Sequence, residues 1–494
     1  MAIDDPVQGT DTPSSDTPSA ASASASGSAP SGWSALRPLV LRLHFYAGLL
    51  IAPLLLIAAT SGLLYALSIQ GEKVIYRHEL RAPVGDRVQP LSDQLAAARA
   101  AHPERTITGI RLPSEEGATT RVLMAGANDA PYTSLAVFVD PYTAKVRGEL
   151  DSYGSSGSLP LRTWISHLHQ NLLLGESGRL YSELAASWLW VVALGGLLLW
   201  TGRRRASKRA LLVPERGATG RRRTLSLHGS VGLWAVTGLV LLSATGLTWS
   251  TYAGENINAI KDQLGSATPA VSATLKGAAG SSDGGGHADH GSTADTPGME
   301  GMDHGKDVGI DLAVVAARQA GLDGPIAVTL PTEGTGYVIA QTDKQFPVRL
   351  DSVAVDPANG MIIDELRFAD YPVLAQLTRI GIDAHMGLFL GIFNQLVLVA
   401  LALSLILLIV LGYRMWWQRR PTKERKLSAG RPIPRGTWRK VPLTWLLPLA
   451  AVTALVGWFV PLLGISLLVF LALDAVLGLV ARTRKDAPEA AADA

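Results

Sequence analysis

The sequence predicts an α-helical membrane protein with about six transmembrane helices, built as a duplicated two-helix repeat plus a C-terminal helical hairpin, with a small external α+β domain in each repeat. Two observations carry that prediction. First, 48% of the 494 residues are hydrophobic and only 17% are charged, and the apolar residues gather in long runs, as in membrane proteins. Second, one pattern occurs twice: Leu41-Arg42-Leu43-His44, Gly48-Leu49 and Gly62-Leu63 recur as Leu225-Ser226-Leu227-His228, Gly232-Leu233 and Gly246-Leu247, with histidine-to-glycine offsets of 4 and 18 both times.

The duplication continues downstream. Asp140-Pro141 precedes Glu149-Leu150 by 9 residues and His169 by 29, and Asp356-Pro357 precedes Glu365-Leu366 and His385 by the same 9 and 29. Beyond each histidine His-x-x-Leu-x-Leu-Gly repeats, through Leu172, Leu174 and Gly175 and through Leu388, Leu390 and Gly391.

Taken in order, residues 1–35 are rich in Ser, Ala, Pro and Asp without an apolar core, which predicts a disordered cytoplasmic tail rather than a cleaved signal peptide. Apolar runs long enough for about 30 Å of hydrocarbon lie near 43–68, 183–201, 227–250, 387–413, 443–461 and 463–481. The first belongs to a segment 36–68 and acts as an uncleaved anchor. Residues 69–160 form the first external domain: Thr106–Leu112 and Leu135–Val139 alternate like half-buried strands, and Leu91–Ala101 reads as a short amphipathic helix. Residues 161–202 hold a histidine segment and the second span. The loop 203–224 is basic, from Arg203-Arg204-Arg205 to Arg221-Arg222-Arg223.

The third span covers 225–251. The second external domain, 252–380, assigns its helix to Leu312–Ala320 and its strands to Ile326–Leu330, Gly336–Gln341 and Val348–Val355, and is split by an insert at 281–305. Asp140-Pro141 and Asp356-Pro357 start turns into a further strand. The fourth span, 381–413, carries His385, a second basic loop fills 414–442, the hairpin 443–481 lies outside the duplication, and 482–494 is a tail. Because short loops rich in Lys and Arg stay in the cytoplasm, both loops and both termini are expected there. The net charge of +3 reflects this asymmetry; the basic rim suits anionic lipid or an acidic redox partner, and nucleic-acid binding is not implied.

The chain has no cysteine, which excludes disulfides, thiolate sites and iron–sulfur clusters. Any redox chemistry must then use histidine-bound cofactors. Gly48 and Gly232, four residues past a histidine, lie one turn along nearly the same helical face, where a missing side chain leaves room for a flat macrocycle. Gly62 and Gly246 return to that face about 27 Å away, at the depth expected for His169 and His385. Two b-type haems are therefore expected, an inner one on His44 and His228 and an outer one on His169 and His385. The bland alternative makes these interfacial histidines and packing glycines.

His167 competes with His169; its counterpart is Asp383. Thirty-three residues separate His169 from Gly202 but 27 separate His385 from Gly412, which predicts a short surface helix carrying the histidine in the first repeat only. Arg42, Arg179 and Arg379 are candidate partners for haem propionates, and Asp474 is an acid inside a span. The insert offers His287, His290, Met299, Met302 and His304 as an external site suited to copper. His78 and His102 read as ordinary surface residues. No dinucleotide fingerprint or zinc-protease motif occurs.

The run from His169 to Arg179, the following span to Trp200, Leu43-His44 with Gly48 and Gly62, and the Val139-Asp140-Pro141-Tyr142-Thr143 turn resemble the PepSY-associated transmembrane proteins over roughly 36–420. The resemblance implies a bacterial cytoplasmic-membrane protein with external PepSY domains, of the kind that includes haem-containing ferric-siderophore reductases and iron-regulated membrane proteins. The expected activity is outward electron transfer from a separate cytoplasmic or membrane donor to a ferric chelate. Two other readings are a non-catalytic binding protein and a copper-handling protein; the insert, a departure from the family pattern, favours the latter.

Overall fold

A computed structural model describes residues 32–113, 115–126, 132–203, 209–275, 307–419, 436 and 441–486. The insert residues His287, His290, Met299, Met302 and His304 lie outside the described residues.

The chain enters through α1 (Gly32–Leu50) and α2 (Ala52–Ile75), which together make one bent rod. The hydrogen-bonded ladder runs through the junction, with Ile51 N–H bonded to Ala47 O at 2.8 Å and Leu55 N–H to Ile51 O at 3.0 Å. The bend follows from Pro53, which has no N–H for the carbonyl four residues back. That carbonyl, Leu49 O, instead accepts the Tyr413 hydroxyl at 3.0 Å. The first span expected at 43–68 is thus displaced: its crossing part is α2, and His44 sits on the other limb.

Among the described residues, five helices are long and apolar enough to cross a membrane: α2, α6 (Glu176–Thr201), α8 (Gly220–Leu247), α12 (Gly391–Trp417) and the part 461–480 of α14 (Pro461–Asp486). The sixth expected span is the shorter apolar helix α13 (Leu443–Phe459), of 17 residues, confined between Pro442 and Pro461. α13 and α14 approach closely because a Cβ on Gly457 would lie 3.1 Å from Gly464 Cα, the use small residues have in membrane helices. The bundle interior gathers Ala47, Leu55, Ala185, Trp188, Leu247, Ile409 and Leu463. Glu183 of α6 is buried there and accepts the Tyr252 and Ala253 N–H groups at 3.2 and 3.0 Å, capping α9 (Tyr252–Gln263). The short turns α3 (Arg77–Leu80) and α7 (Arg209–Leu212) extend α2 and lead into α8.

The short-helix expectation is corrected. Both sheet-side histidines end short amphipathic helices that precede the spans: α5 (Pro160–Asn171) carries His169 and α11 (Val373–His385) carries His385. Leu172 and Leu173 then take left-handed backbone with φ of 53° and 59°, and in the second repeat Gly387 does so at 77°.

The strands are β1 (Ile107–Leu112), β2 (Thr120–Ala125), β3 (Thr133–Val139), β4 (Val146–Tyr153), β5 (Ile326–Thr329), β6 (Tyr337–Gln341), β7 (Ser352–Val355) and β8 (Ile362–Leu366). In place of two separate α+β domains they form one eight-stranded antiparallel sheet in the order β4-β3-β2-β1-β5-β6-β7-β8. The seam is β1 against β5, with Gly109 opposite Thr329 and Arg111 opposite Ala327. Each repeat thereby covers the edge the other would expose. Helices α4 (Leu91–Ala101) and α10 (Gly309–Gln319) lie on one face over a shared core that includes Ile110, Val122, Val139, Val328, Ile339 and Val355. Asp311 joins them by accepting the Leu91 and Ser92 N–H groups at 2.7 and 3.1 Å.

Candidate metal centres: two histidine couples

The bundle brings His44 of α1 to His228 of α8, with ring centroids 6.3 Å apart and planes at 74°. Nearer the sheet it brings His169 to His385, with centroids 6.5 Å apart and planes at 53°. Each couple takes one histidine from each repeat.

One nitrogen of every ring is already committed. His44 Nδ1 lies 2.9 Å from Val192 O and His228 Nδ1 3.1 Å from Leu408 O; a carbonyl accepts only, so each Nδ1 is the donor. His169 Nδ1 is 2.9 Å from Ser61 Oγ and His385 Nδ1 2.8 Å from Thr245 Oγ1. These hydroxyls donate to Ile57 O at 2.8 Å and Leu241 O at 2.7 Å, so they too accept from Nδ1–H. All four rings are thereby fixed in the tautomer whose Nε2 carries the lone pair a metal needs. These acceptors are the orienting partners that ligating histidines require.

The supporting residues obey the duplication. Val192 and Leu408 each follow the repeat's sheet-side histidine by 23 residues, and Ser61 and Thr245 each follow the far-end histidine by 17. Equal offsets are the sequence signal that would have found them.

The glycines divide the work differently from the expectation. A Cβ on Gly62 would lie 3.2 Å from His169 Cε1, so this glycine makes room for the imidazole itself, while one on Gly246 would meet His385 Cε1 at 3.5 Å, an ordinary contact. Gly48 borders open space, and a Cβ on Gly232 would meet Leu408 Cδ2 at 3.6 Å. The closest approach is at Gly196, where a Cβ would be 2.9 Å from His44 Cε1; its counterpart Gly412 would meet His228 Cε1 at 3.9 Å. Both lie 27 residues beyond a sheet-side histidine. Gly412 therefore corresponds to Gly196 and not to Gly202, which instead admits the Trp33 indole.

The remaining candidates lie elsewhere. His167 meets the Tyr153 ring at 4.9 Å. Asp383 is fully buried with Arg379 at 3.1 Å and Lys344 at 3.7 Å. Arg42 pairs with Asp474, which ties α14 to α1; Arg179 is 3.5 Å from Glu176. His102 is held by Glu149 and Glu104, so it is more than an ordinary surface residue, while Arg147 donates to the His78 carbonyl at 2.9 Å. Trp249, unremarked in the sequence, stands edge-on to His385 at 5.5 Å.

Among the described residues no group of three or more His, Asp or Glu side chains is placed to hold a bare ion. Each couple instead brings two imidazoles to 6.3 or 6.5 Å between centroids. That arrangement suits a metal whose other ligands come from a flat macrocycle.

The family described as PepSY-associated TM region matches residues 41–419. No curated protein matches the chain.

Proposed function

The chain belongs to the PepSY-associated transmembrane family, and from that premise we propose that it conducts electrons outward across a bacterial cytoplasmic membrane through two b-type haems, reducing a ferric siderophore or another ferric chelate on the external side. The observation that carries this reading is the spacing of the couples. An imidazole nitrogen binds a first-row metal at about 2 Å, which sets two rings sharing one metal on opposite sides at roughly 6 Å between centroids. The 6.3 and 6.5 Å separations fit that distance at both levels.

His44 with His228 would hold the inner group and His169 with His385 the outer one. Bound haem supplies reversible one-electron chemistry, so no general acid or nucleophile is called for. The protein's own part is positional. Val192 O, Leu408 O, Ser61 Oγ and Thr245 Oγ1 hold the rings and leave the Nδ1 protons no transfer role. Apolar α-helices surround both levels, and limiting solvent is one of the levers that set a haem potential. The basic loops 203–224 and 414–442 support a cytoplasmic position for the inner couple, next to a separate electron donor. The sheet then faces outward, beside the acceptor.

The test is pyridine haemochrome quantitation of the full chain purified in detergent. Two b-type haems per chain are expected, falling to one in His44→Ala and to one in His385→Ala, and the reduced protein should transfer electrons to ferric citrate or a ferric siderophore. A chain without haem, or a signal untouched by both substitutions, overturns the reading.

A further inference from the structure

The duplication makes any departure from it informative. Beside the sheet-side couple, the first repeat gathers three guanidiniums, the buried Arg162 on α5 and the half-buried Arg111 on β1 and Arg121 on β2, with Glu72 of α2 as the carboxylate facing them. Strand register and offsets from the histidines assign their counterparts as Thr329, Val338, Thr378 and Asn256. The second repeat completes the same sheet, short helix and span without a charge at any of the four positions. The cluster therefore answers to something other than the fold.

Its contacts leave it short of negative charge. Arg162, with a side chain 9% exposed, lies 3.0 Å from Glu72 Oε2. Glu72 Oε1 meanwhile accepts the Leu159 and Arg162 N–H groups at 2.8 and 3.3 Å, capping α5. Among the described residues Arg111 reaches the neutral Gly154 O at 3.3 Å and no carboxylate, and its Nε is buried without a hydrogen-bond partner. Arg121 reaches Gly157 O at 3.3 Å and lies over the Phe138 ring at 5.4 Å. Gly157, at φ 61°, permits this crowding, since a Cβ there would be 2.5 Å from Arg111 Nη1. Burial, compounded by the neighbouring guanidiniums, pushes Arg111 and Arg121 down to about 10, as expected of buried cations lacking counter-charge. Among the described residues, three cations and one committed carboxylate leave two positive charges unanswered.

The cluster also points at the couple. Arg162 precedes His169 by seven residues, hence the same face of α5 about 10 Å away. Glu72 follows Ser61 by eleven, again on one face of α2. The arginines nearer the histidines, Arg42, Arg179 and Arg379, have their own carboxylates.

We propose that Arg111, Arg121 and Arg162 seat the two propionate carboxylates of the haem held by His169 and His385, so that the first repeat alone orients and tunes the outer haem. This rests on the di-haem reading above. Two carboxylates match the two unanswered charges, guanidinium forks suit carboxylate geometry, and burial favours a resident group over an exchanging one. A free polycarboxylate chelate is the other source of the same chemistry.

The experiment is a spectroelectrochemical titration of the full chain in detergent, the outer wave being the one lost in His385→Ala. A cation near the iron favours the reduced state. Arg162→Gln and Arg121→Gln should therefore move the outer midpoint negative, by about tenfold in the one-electron equilibrium, which is 59 mV. Glu72→Gln should move it positive, Arg162→Lys should largely restore it, and the inner wave should stay in place. Opposite signs from neutralising the cations and the anion are something a purely structural cluster does not produce. Unmoved outer midpoints, or shifts of one sign in all variants, overturn the proposal; so does a cluster whose neutralisation weakens citrate binding while both waves stay put. A wild-type chain without haem fails the underlying reading first, and a two-haem chain with unmoved waves fails this proposal alone.

Discussion

Each ring of the two couples is held by a hydrogen bond, and at His44 and His169 a missing Cβ, on Gly196 and Gly62, also leaves it room. The distances grade the glycines. Gly196→Ala would place a carbon 2.9 Å from His44 Cε1 on a ring already bonded to Val192 O, whereas Gly412→Ala meets His228 Cε1 at 3.9 Å, ordinary contact. Alanine is the better helix former by about 1 kcal/mol, so loss of function in the first variant cannot be laid to helix propensity. Haem per chain should fall from two towards one in Gly196→Ala and stay at two in Gly412→Ala, measured by pyridine haemochrome. Equal behaviour of the two would refute the graded reading. Residue-level legibility has the same boundary: offsets of 4 and 18 gave depth, because helical rise turns sequence distance into height. Azimuth came only with packing, which is why Gly196, Ser61 and Thr245 stayed unread although their offsets repeat.

Among the elements, the bent rod α1–α2 shows how a local defect is absorbed by a distant residue. Pro53 strands Leu49 O inside a lipid-facing bundle, where no water can satisfy it, and Tyr413 of α12 supplies the donor at 3.0 Å. Tyr413→Phe should cost about 1–3 kcal/mol, read as a fall in the thermal unfolding midpoint of the detergent-solubilised chain. In a Pro53→Ala background the same change should cost clearly less, since the backbone N–H restored at that position can then reach Leu49 O. A double-mutant cycle with no coupling would refute the argument. Proline in an apolar run was visible in the sequence; its rescue by a tyrosine 364 residues away was not. The breaks before α6 and α12 were hidden for a different reason. Leu172 and Leu173 adopt left-handed backbone that nothing in a leucine run announces, while Gly387 does the same openly.

Across the whole molecule, the two repeats are bound at three levels. His44 meets His228 at the far end, His169 meets His385 near the sheet, and β1 meets β5 in the seam. The repeat was plain in the sequence because its offsets are local. The seam was not, since pairing between edge strands more than two hundred residues apart leaves no periodic trace, and two separate domains were expected in its place. One consequence can be tested without any point mutation. Neither repeat holds both members of a couple, and each alone exposes the edge of β1 or β5, an invitation to aggregate. Cut within 204–208 and expressed as two chains, the halves should each lack the bis-histidine haem spectrum when produced singly. Produced together they should copurify and regain two haems per pair. A single half that binds haem on its own would show that like repeats can satisfy one another, and the division of each couple between unlike repeats would then be a preference of the joined chain rather than a requirement of the site.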